Sequence, residues 1–185
     1  MVVFDTTALL LFVYPLKPPP IDPLTGNDLT RCHDRIEYLV KSLSDRRIKV
    51  GLPTPVIAEY LIGAGLNKQA FFAQFQSNSA FLPLPFDEKA AIELALITEP
   101  NVRTEDTKAK VRFDRQVVAI AKANGATALY TDDKNQAAFA RANGQTVIMI
   151  HDIPLPPPET APLPFPEELP SDGSDPTFGS WDGVA

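Results

Sequence analysis

The alternation of short apolar runs with longer helical patterns is the feature that most constrains the fold of this chain. Five runs predict strands, at Val2–Phe4, Ile48–Leu52, Phe81–Leu84, Ala126–Tyr130 and Thr146–Ile150. Helical patterns lie between and around them, at Thr6–Tyr14, Thr30–Asp45, Thr54–Gly63, Asn67–Gln76, Glu88–Ile97, Lys108–Asn124 and Lys134–Asn143. Strands that alternate with helices at short spacing predict an α/β fold with a mainly parallel central sheet.

Local signals set the expected ends of several elements. Thr54 followed by Pro55 predicts a helix start, because threonine caps a helix and proline suits its first position. Thr30 is expected to cap the helix that runs to about Asp45. Residues 15–29 carry five prolines and a glycine, which predicts a loop.

The composition changes after residue 151 and predicts two parts. Residues 1–151 form the expected folded domain, whereas residues 152–185 contain nine prolines, seven acids and no lysine or arginine. Such a tail buries too little apolar surface to offset its chain entropy and is expected to be disordered or polyproline-like. Without it, 17 basic and 23 − 7 = 16 acidic side chains leave the domain at +1, and at about +5 if four acids share a metal site. This charge is compatible with a polyanionic partner.

Cysteine content and hydropathy indicate the compartment. Cys32 is the only cysteine, so no internal disulfide can form and a reducing environment is expected. The apolar run at residues 8–14 is too short to span a bilayer, and the start lacks the basic region of a signal peptide. We therefore expect a cytoplasmic protein that does not insert into a membrane.

Carboxylates follow two of the predicted strands. Asp5 comes directly after the first strand, and Asp132 and Asp133 come after Thr131 at the end of the fourth. Open parallel sheets bind their ligands at the carboxyl ends of the strands. Capping of the following helices is the alternative role for these aspartates. Adjacent like charges also raise each other's pKa unless a cation is near, and a metal ion would supply one.

Two more acids interrupt helical patterns. Glu59 shares a predicted helix face with Val56 and Tyr60, and no lysine or arginine lies within eight residues of it. An unpaired carboxylate on a buried face is costly, so Glu59 is expected to have a partner, either a distant salt bridge or a metal ion. Asp114 lies in line with Val117, Val118 and Ala121 on an apolar stripe.

The order of these acids is more specific than any one of them. A strand-end aspartate, a helical glutamate, a helical aspartate and a strand-end Thr-x-Asp supply hard oxygen ligands without histidine or cysteine. Such ligands suit Mg²⁺ or Mn²⁺, which bind phosphate oxygens and can lower the pKa of a bound water. The pattern therefore favours a phosphodiesterase site.

From Met1 to about Ile150 the chain resembles the PIN-domain nucleases, including the toxins of VapBC-type toxin–antitoxin pairs. Three stretches carry the resemblance: Val2–Leu10, Pro53–Leu61 and Asp114–Asp133. It implies a three-layer α/β/α sandwich of the PIN type and Mg²⁺- or Mn²⁺-dependent cleavage of single-stranded RNA. It also implies a small antitoxin protein as a partner in the toxin case, and homodimers are common in such proteins.

The resemblance assigns the site residues one by one. Asp5, Glu59, Asp114 and Asp133 become the catalytic metal ligands, and Asp132 remains an alternative or additional ligand. Threonine hydroxyls would orient these carboxylates, and basic residues leading into and along the helix of Asp114 would contact RNA phosphates unless they form a solvated face. These supporting residues are Thr6, Thr131, Lys108, Lys110, Arg112 and Arg115.

One alternative function stays open at this stage. A PIN-like fold can serve as a binding or scaffold module without cleaving RNA. The presence of all four acids argues against this alternative. The Pro-rich loop and the acidic tail depart from the family's compact pattern, which weakens the toxin interpretation more than the nuclease interpretation.

Overall fold

The structure is a computed structural model, and it describes residues 1–14, 17–65, 68–69, 72–73, 78–98 and 108–158. The strands are β1 (Val2–Phe4), β2 (Val50–Pro53), β3 (Phe81–Leu84), β4 (Leu129–Thr131) and β5 (Val147–Met149). The longer helices are α1 (Thr6–Val13), α2 (Cys32–Asp45), α3 (Thr54–Gly63), α4 (Glu88–Ile97), α5 (Lys108–Ala123) and α6 (Lys134–Ala142). A 3-10 turn at Ile150–Asp152 follows β5.

The five strands form one sheet in the order β3-β2-β1-β4-β5, and every neighbouring pair is parallel. The predicted parallel α/β fold is therefore confirmed. The chain moves outward from β1 to β2 and β3, then returns to place β4 on the other side of β1. This reversal puts the topological switch point between β1 and β4, where open α/β sheets bind their ligands.

The helices cover both faces of the sheet. Parallel crossovers are almost always right-handed, so crossovers that run in opposite directions place their helices on opposite faces. The first two crossovers carry α1, α2 and α3, and helices α1 and α2 are in contact. The last two carry α4, α5 and α6, and α5 packs against both α4 and α6. The result is the predicted α/β/α sandwich.

The core lies between these layers and is built from the apolar faces that the sequence pattern indicates. Fully buried side chains come from all three layers: Phe4, Leu9, Ile36, Leu52, Val56, Val117, Ile120, Leu129 and Ile150. Burial of each large aliphatic or aromatic side chain contributes roughly 1.5–3 kcal/mol. The central strands are apolar on both sides because helices cover both faces of the sheet.

Two expected helix N-caps, Thr30 and Thr54, are each wrong by one residue. Helix α2 begins at Cys32 after Arg31, whose backbone is left-handed (φ 55°), and no side chain caps it. Pro53 takes the N-cap position of α3, so Thr54 is its first helical residue. The Thr54 hydroxyl instead accepts a hydrogen bond from the Phe86 amide at 3.1 Å, which ties α3 to the segment after β3.

Other boundaries differ slightly from expectation. Strand β2 begins at Val50 and β4 at Leu129, each later than predicted. Within the predicted helix at 67–76, residues 68–69 and 72–73 are described and helical. No helix in the described ranges is long and apolar enough to cross a membrane.

Packing continues slightly past residue 151. Ile153 is only 1% exposed, and its carbonyl accepts a hydrogen bond from Arg35 on α2. The division of the chain at 151/152 stays a prediction, and the part of the acidic tail from residue 159 onward lies outside the described residues.

Candidate active site

A cavity of about 840 Å³ opens at the carboxyl edge of the sheet, where the switch point lies. All four predicted acids, Asp5, Glu59, Asp114 and Asp133, line it. They come from the end of β1, from α3, from α5 and from the end of β4, which are far apart in the sequence. The fold therefore brings the four carboxylates to the walls of one cavity.

Asp5 and Thr131 join the two strands that flank the switch point. Thr131 is fully buried, and its hydroxyl donates to Asp5 Oδ2 at 2.6 Å. Asp5 Oδ1 accepts from the Ala8 amide at 2.7 Å, so Asp5 also caps α1. Asp5 therefore has the capping role that the sequence allowed, and it also lines the cavity. Burial raises the pKa of Asp5 to about 7, although these two hydrogen bonds oppose the shift.

Asp133 likewise has a capping role and a cavity position. Its Oδ1 accepts from the Asn135 and Gln136 amides at the start of α6, at 2.8 and 2.9 Å. Its Oδ2 lies 2.7 Å from Lys110 Nζ, and its own amide donates to Thr131 Oγ1 at 3.0 Å. Burial works against ionisation, but the Lys110 contact and the α6 amides outweigh it and lower the pKa of Asp133.

Glu59 occupies a different environment from the one expected. Its side chain is exposed to the cavity, whereas Val56 and Tyr60 on the same helix are buried. The expectation of a buried helical carboxylate is wrong, because α3 lies at the cavity edge and only part of its circumference meets the core. The partner of Glu59 is Thr6, whose hydroxyl donates to Glu59 Oε2.

Asp114 lies one turn before the buried stretch of α5. Val117, Val118 and Ala121 are fully buried, so the stripe that contains Asp114 does face inward. Asp114 itself is half-buried, because it lies where α5 leaves the sheet and meets the cavity. Helix α5 thus runs from the core to the cavity and holds Asp114 at the cavity wall.

Asp132, the alternative fourth ligand, is not among the residues that line the cavity. Burial raises its pKa, and His151, Lys134 and Lys17 oppose the shift. Of the two adjacent aspartates, the structure brings Asp133 rather than Asp132 to the cavity.

The basic residues predicted to contact RNA divide between two locations. Lys110 lines the carboxylate cavity. Arg112 and Arg115 line a separate cavity of about 460 Å³ between α4 and α5, and Arg115 lies 5.1 Å from the centre of the Phe139 ring. The side chain of Lys108 lies outside the described part of the structure.

Lys17, which was not predicted from the sequence, also lines the carboxylate cavity. Burial lowers the pKa of Lys17, while the charges of Asp5, Glu59 and Asp132 oppose the shift. The only available signal was that Lys17 is the one basic residue in the Pro-rich loop at 15–29.

The donor set fits a hydrated divalent cation. Within the described ranges, no three acidic, histidine or cysteine side chains are close enough together to hold a bare metal ion. Mg²⁺, however, usually keeps several waters and binds one or two carboxylates directly. Gln136 lines the same cavity and is 3% exposed, and its Oε1 has no hydrogen-bond partner in the described structure. This oxygen, with the surrounding carboxylates, suits a cation and its waters.

Comparison with known proteins identifies solved structures of similar fold. No protein-family model and no curated protein matches the sequence. A solved VapBC2 complex from Rickettsia felis, bound to a DNA fragment from its promoter, matches with a TM-score of 0.55 and 14% identity, over 80% of this chain and 98% of that one. DNA-bound VapBC from Salmonella typhimurium matches with a TM-score of 0.50 and 16% identity, over 81% and 99%.

The chain has a PIN-like fold. Nearly the whole length of each matched chain is covered, so the likeness extends over the complete PIN-like domain and not over a single βαβ unit. At this level of identity the likeness concerns the fold alone.

Proposed function

We propose that the protein is a metal-dependent endoribonuclease that hydrolyses phosphodiester bonds of single-stranded RNA. The observation that carries the proposal is that Asp5, Glu59, Asp114 and Asp133 line one cavity at the switch point of a PIN-like sheet. Among the described residues that line this cavity are four acids and two lysines, Lys17 and Lys110. A divalent cation would offset the excess negative charge of such a lining.

Three of the carboxylates have distinct supports. Asp5 is fixed by the Thr131 hydroxyl and the Ala8 amide, Asp133 by the first amides of α6, and Glu59 by Thr6. Such contacts hold the carboxylates in fixed directions, as partners of metal ligands do. Mg²⁺ or Mn²⁺ held by these carboxylates would supply positive charge to the phosphate and a water of lowered pKa.

The protein's own cations would position the RNA backbone. Lys110 and Lys17 lie at the cavity and could hold phosphates there. Arg112 and Arg115 lie on another side of α5, so their contribution would be to strand segments farther from the bond that is cut.

Cleavage of a labelled single-stranded RNA, measured while Mn²⁺ or Mg²⁺ is titrated, tests the proposal. Asp114→Asn removes one carboxylate charge and keeps the side-chain shape. We expect its kcat/KM to fall by more than the roughly 10- to 100-fold that loss of an outer-shell partner costs. Asp45→Asn is the matched control, because Asp45 is an exposed acid at the end of α2. A DNA oligonucleotide of the same sequence tests the preference for RNA.

The scaffold alternative makes a different prediction. A binding module would hold RNA without cutting it at any Mn²⁺ concentration, and Asp114→Asn would behave like the Asp45→Asn control. Binding without cleavage by the wild-type protein would therefore overturn the nuclease proposal.

We also propose that the protein acts as the toxin of a toxin–antitoxin pair, with a small antitoxin protein as its partner. Support comes from the fold, because both solved structures named above are VapBC complexes. Induced expression of the wild-type chain should slow bacterial growth, and Asp114→Asn should not. Co-expression of a short DNA-binding protein encoded by a neighbouring gene should restore growth. Normal growth on expression of the wild-type chain would contradict the toxin role but not the nuclease role.

Homodimer formation, expected from the resemblance, is checked by measuring the mass of the protein in solution.

A further inference from the structure

A second cavity of about 480 Å³ adjoins the carboxylate cavity. The two share Leu10 and Lys17 as lining residues, so they are neighbouring parts of one surface depression. The other residues of the second cavity come from the end of α1, the Pro-rich loop and the end of α3: Tyr14, Pro18, Tyr60, Gly63 and Ala64. Its size is within the range of about 300–1,000 Å³ that is typical of small-molecule sites.

The chemistry of the second cavity differs from that of the first. No carboxylate is among its described lining residues, and two of them are tyrosines. Tyr60 is 3% exposed and forms part of the buried wall, whereas Tyr14 is 50% exposed. A half-exposed aromatic ring beside an apolar cavity offers a stacking surface, which is how proteins commonly hold the bases of single-stranded nucleic acids.

Lys17 lies where the two cavities meet. Its side chain lines the carboxylate cavity together with Asp5 and Glu59, and it also lines the second cavity. Lysine binds phosphate as a point charge. A phosphate bound by Lys17 would have the carboxylate cavity on one side and the second cavity on the other.

We propose that the cavity formed by Tyr14, Pro18, Tyr60 and Gly63 is a nucleobase subsite for the nucleotide next to the scissile phosphate. This inference rests on the proposed nuclease function and adds a source of substrate selection to it. The base stacks against Tyr14 and packs over Gly63, while Lys17 holds the connecting phosphate. Because a stacking site accepts every base to some degree, we expect graded preferences among bases rather than strict specificity.

Gly63 gives a precise way to fill the cavity. A Cβ built on Gly63 meets no atom within 4 Å, and its backbone is helical, so a larger side chain is tolerated there. Because Gly63 lines the cavity, Gly63→Leu adds an apolar side chain at the cavity wall. Tyr14→Ala removes the stacking ring and leaves intact the backbone hydrogen bond from the Tyr14 amide to Leu10. Ala142→Leu, at the exposed last residue of α6, is the matched control.

The experiment compares single-stranded RNA with an abasic oligomer of the same ribose-phosphate length, using the full chain. Cleavage in Mn²⁺ and equilibrium binding by fluorescence anisotropy are both measured. We expect the wild-type protein and Ala142→Leu to prefer the base-containing oligomer by roughly 10- to 100-fold, as base stacking predicts. Gly63→Leu and Tyr14→Ala should lose most of this preference, and Tyr14→Phe should keep it.

The outcomes separate this inference from the proposed function. The nucleobase subsite is overturned if the wild-type protein binds and cleaves the two oligomers equally well. It is also overturned, even if RNA is cleaved, if Gly63→Leu and Tyr14→Ala keep the wild-type preference for the base-containing oligomer. A base-dependent binding preference that both variants abolish, with no cleavage of either oligomer, supports the subsite and overturns the nuclease.

Discussion

At the residue scale, the central feature is a buried carboxylate whose ionisation costs stability. Asp5 is 5% exposed, and no cationic side chain is hydrogen-bonded or ion-paired to it in the described structure. Its raised pKa means that the folded state binds a proton more tightly than the unfolded chain does. The cost of ionising Asp5 is therefore fully present above pH 7 and fades as the pH falls from 7 towards 4.

Asp5→Asn should consequently stabilise the metal-free protein. The asparagine can still cap α1 and contact Thr131 without a buried charge. A pKa shift from 3.8 to about 7 corresponds to about 4 kcal/mol at most. We expect a gain of about 1–3 kcal/mol in the free energy of unfolding at pH 8, measured by urea denaturation, and a smaller gain at pH 5.

Manganese provides the control for this prediction. If a cation binds beside Asp5, adding Mn²⁺ at pH 8 should raise the Tm of the wild-type protein more than that of Asp5→Asn. A variant that is less stable than the wild type at pH 8 would contradict the assigned burial cost.

At the element scale, one side chain at the start of α6 both caps the helix and lines the carboxylate cavity. Asp133 caps the helix through Oδ1 and meets Lys110 of α5 through Oδ2. Helix α6 thus positions a cavity acid by the same hydrogen bonds that begin the helix. This arrangement explains why the sequence pattern at Asp133 is compatible both with a helix cap and with a metal ligand.

Two substitutions separate these roles of Asp133. Asp133→Ala removes both and should cost about 1 kcal/mol of stability, the usual value of an N-cap. Asp133→Asn keeps the cap and loses the charge, so its thermal stability should stay near that of the wild type while metal-dependent cleavage falls. Equal loss of stability in both variants would show that the Lys110 pair, and not the cap, holds this end of α6.

At the scale of the whole molecule, charge is unevenly distributed along the chain. Residues 159–185 contain six acids and no basic residue, so removing them changes the net charge from −6 to −6 + 6 = 0. Negative charge lowers the local concentration of a polyanion such as RNA, and salt screens the effect.

A chain that ends after Pro158 should therefore bind and cleave RNA several-fold better at low salt. This end point retains Ile153, whose carbonyl contacts Arg35. The advantage should disappear at high ionic strength, where the Debye length is only a few ångströms. Equal cleavage rates for the full and shortened chains at low salt would show that the tail charge has no influence on the site.

The sequence alone determined the fold class and a short set of candidate acids, because both follow from local rules. Period and spacing mark strands and helices, and the carboxyl ends of parallel strands must meet at one edge of the sheet. Asp5 and the pair Asp132 and Asp133 could be placed from that rule, and Asp114 from its stripe on α5. The structure then brings Asp133 rather than Asp132 to the cavity.

Only the tertiary structure decided what depends on packing between distant segments. It left Glu59 exposed at the cavity, placed Arg112 and Arg115 at a separate cavity between α4 and α5, and brought Lys17 from the loop to the carboxylate cavity. It also joined Thr131 to Asp5 across 126 residues of sequence. The exposure of a side chain depends on which distant segments pack against it, and a local sequence pattern does not specify that packing.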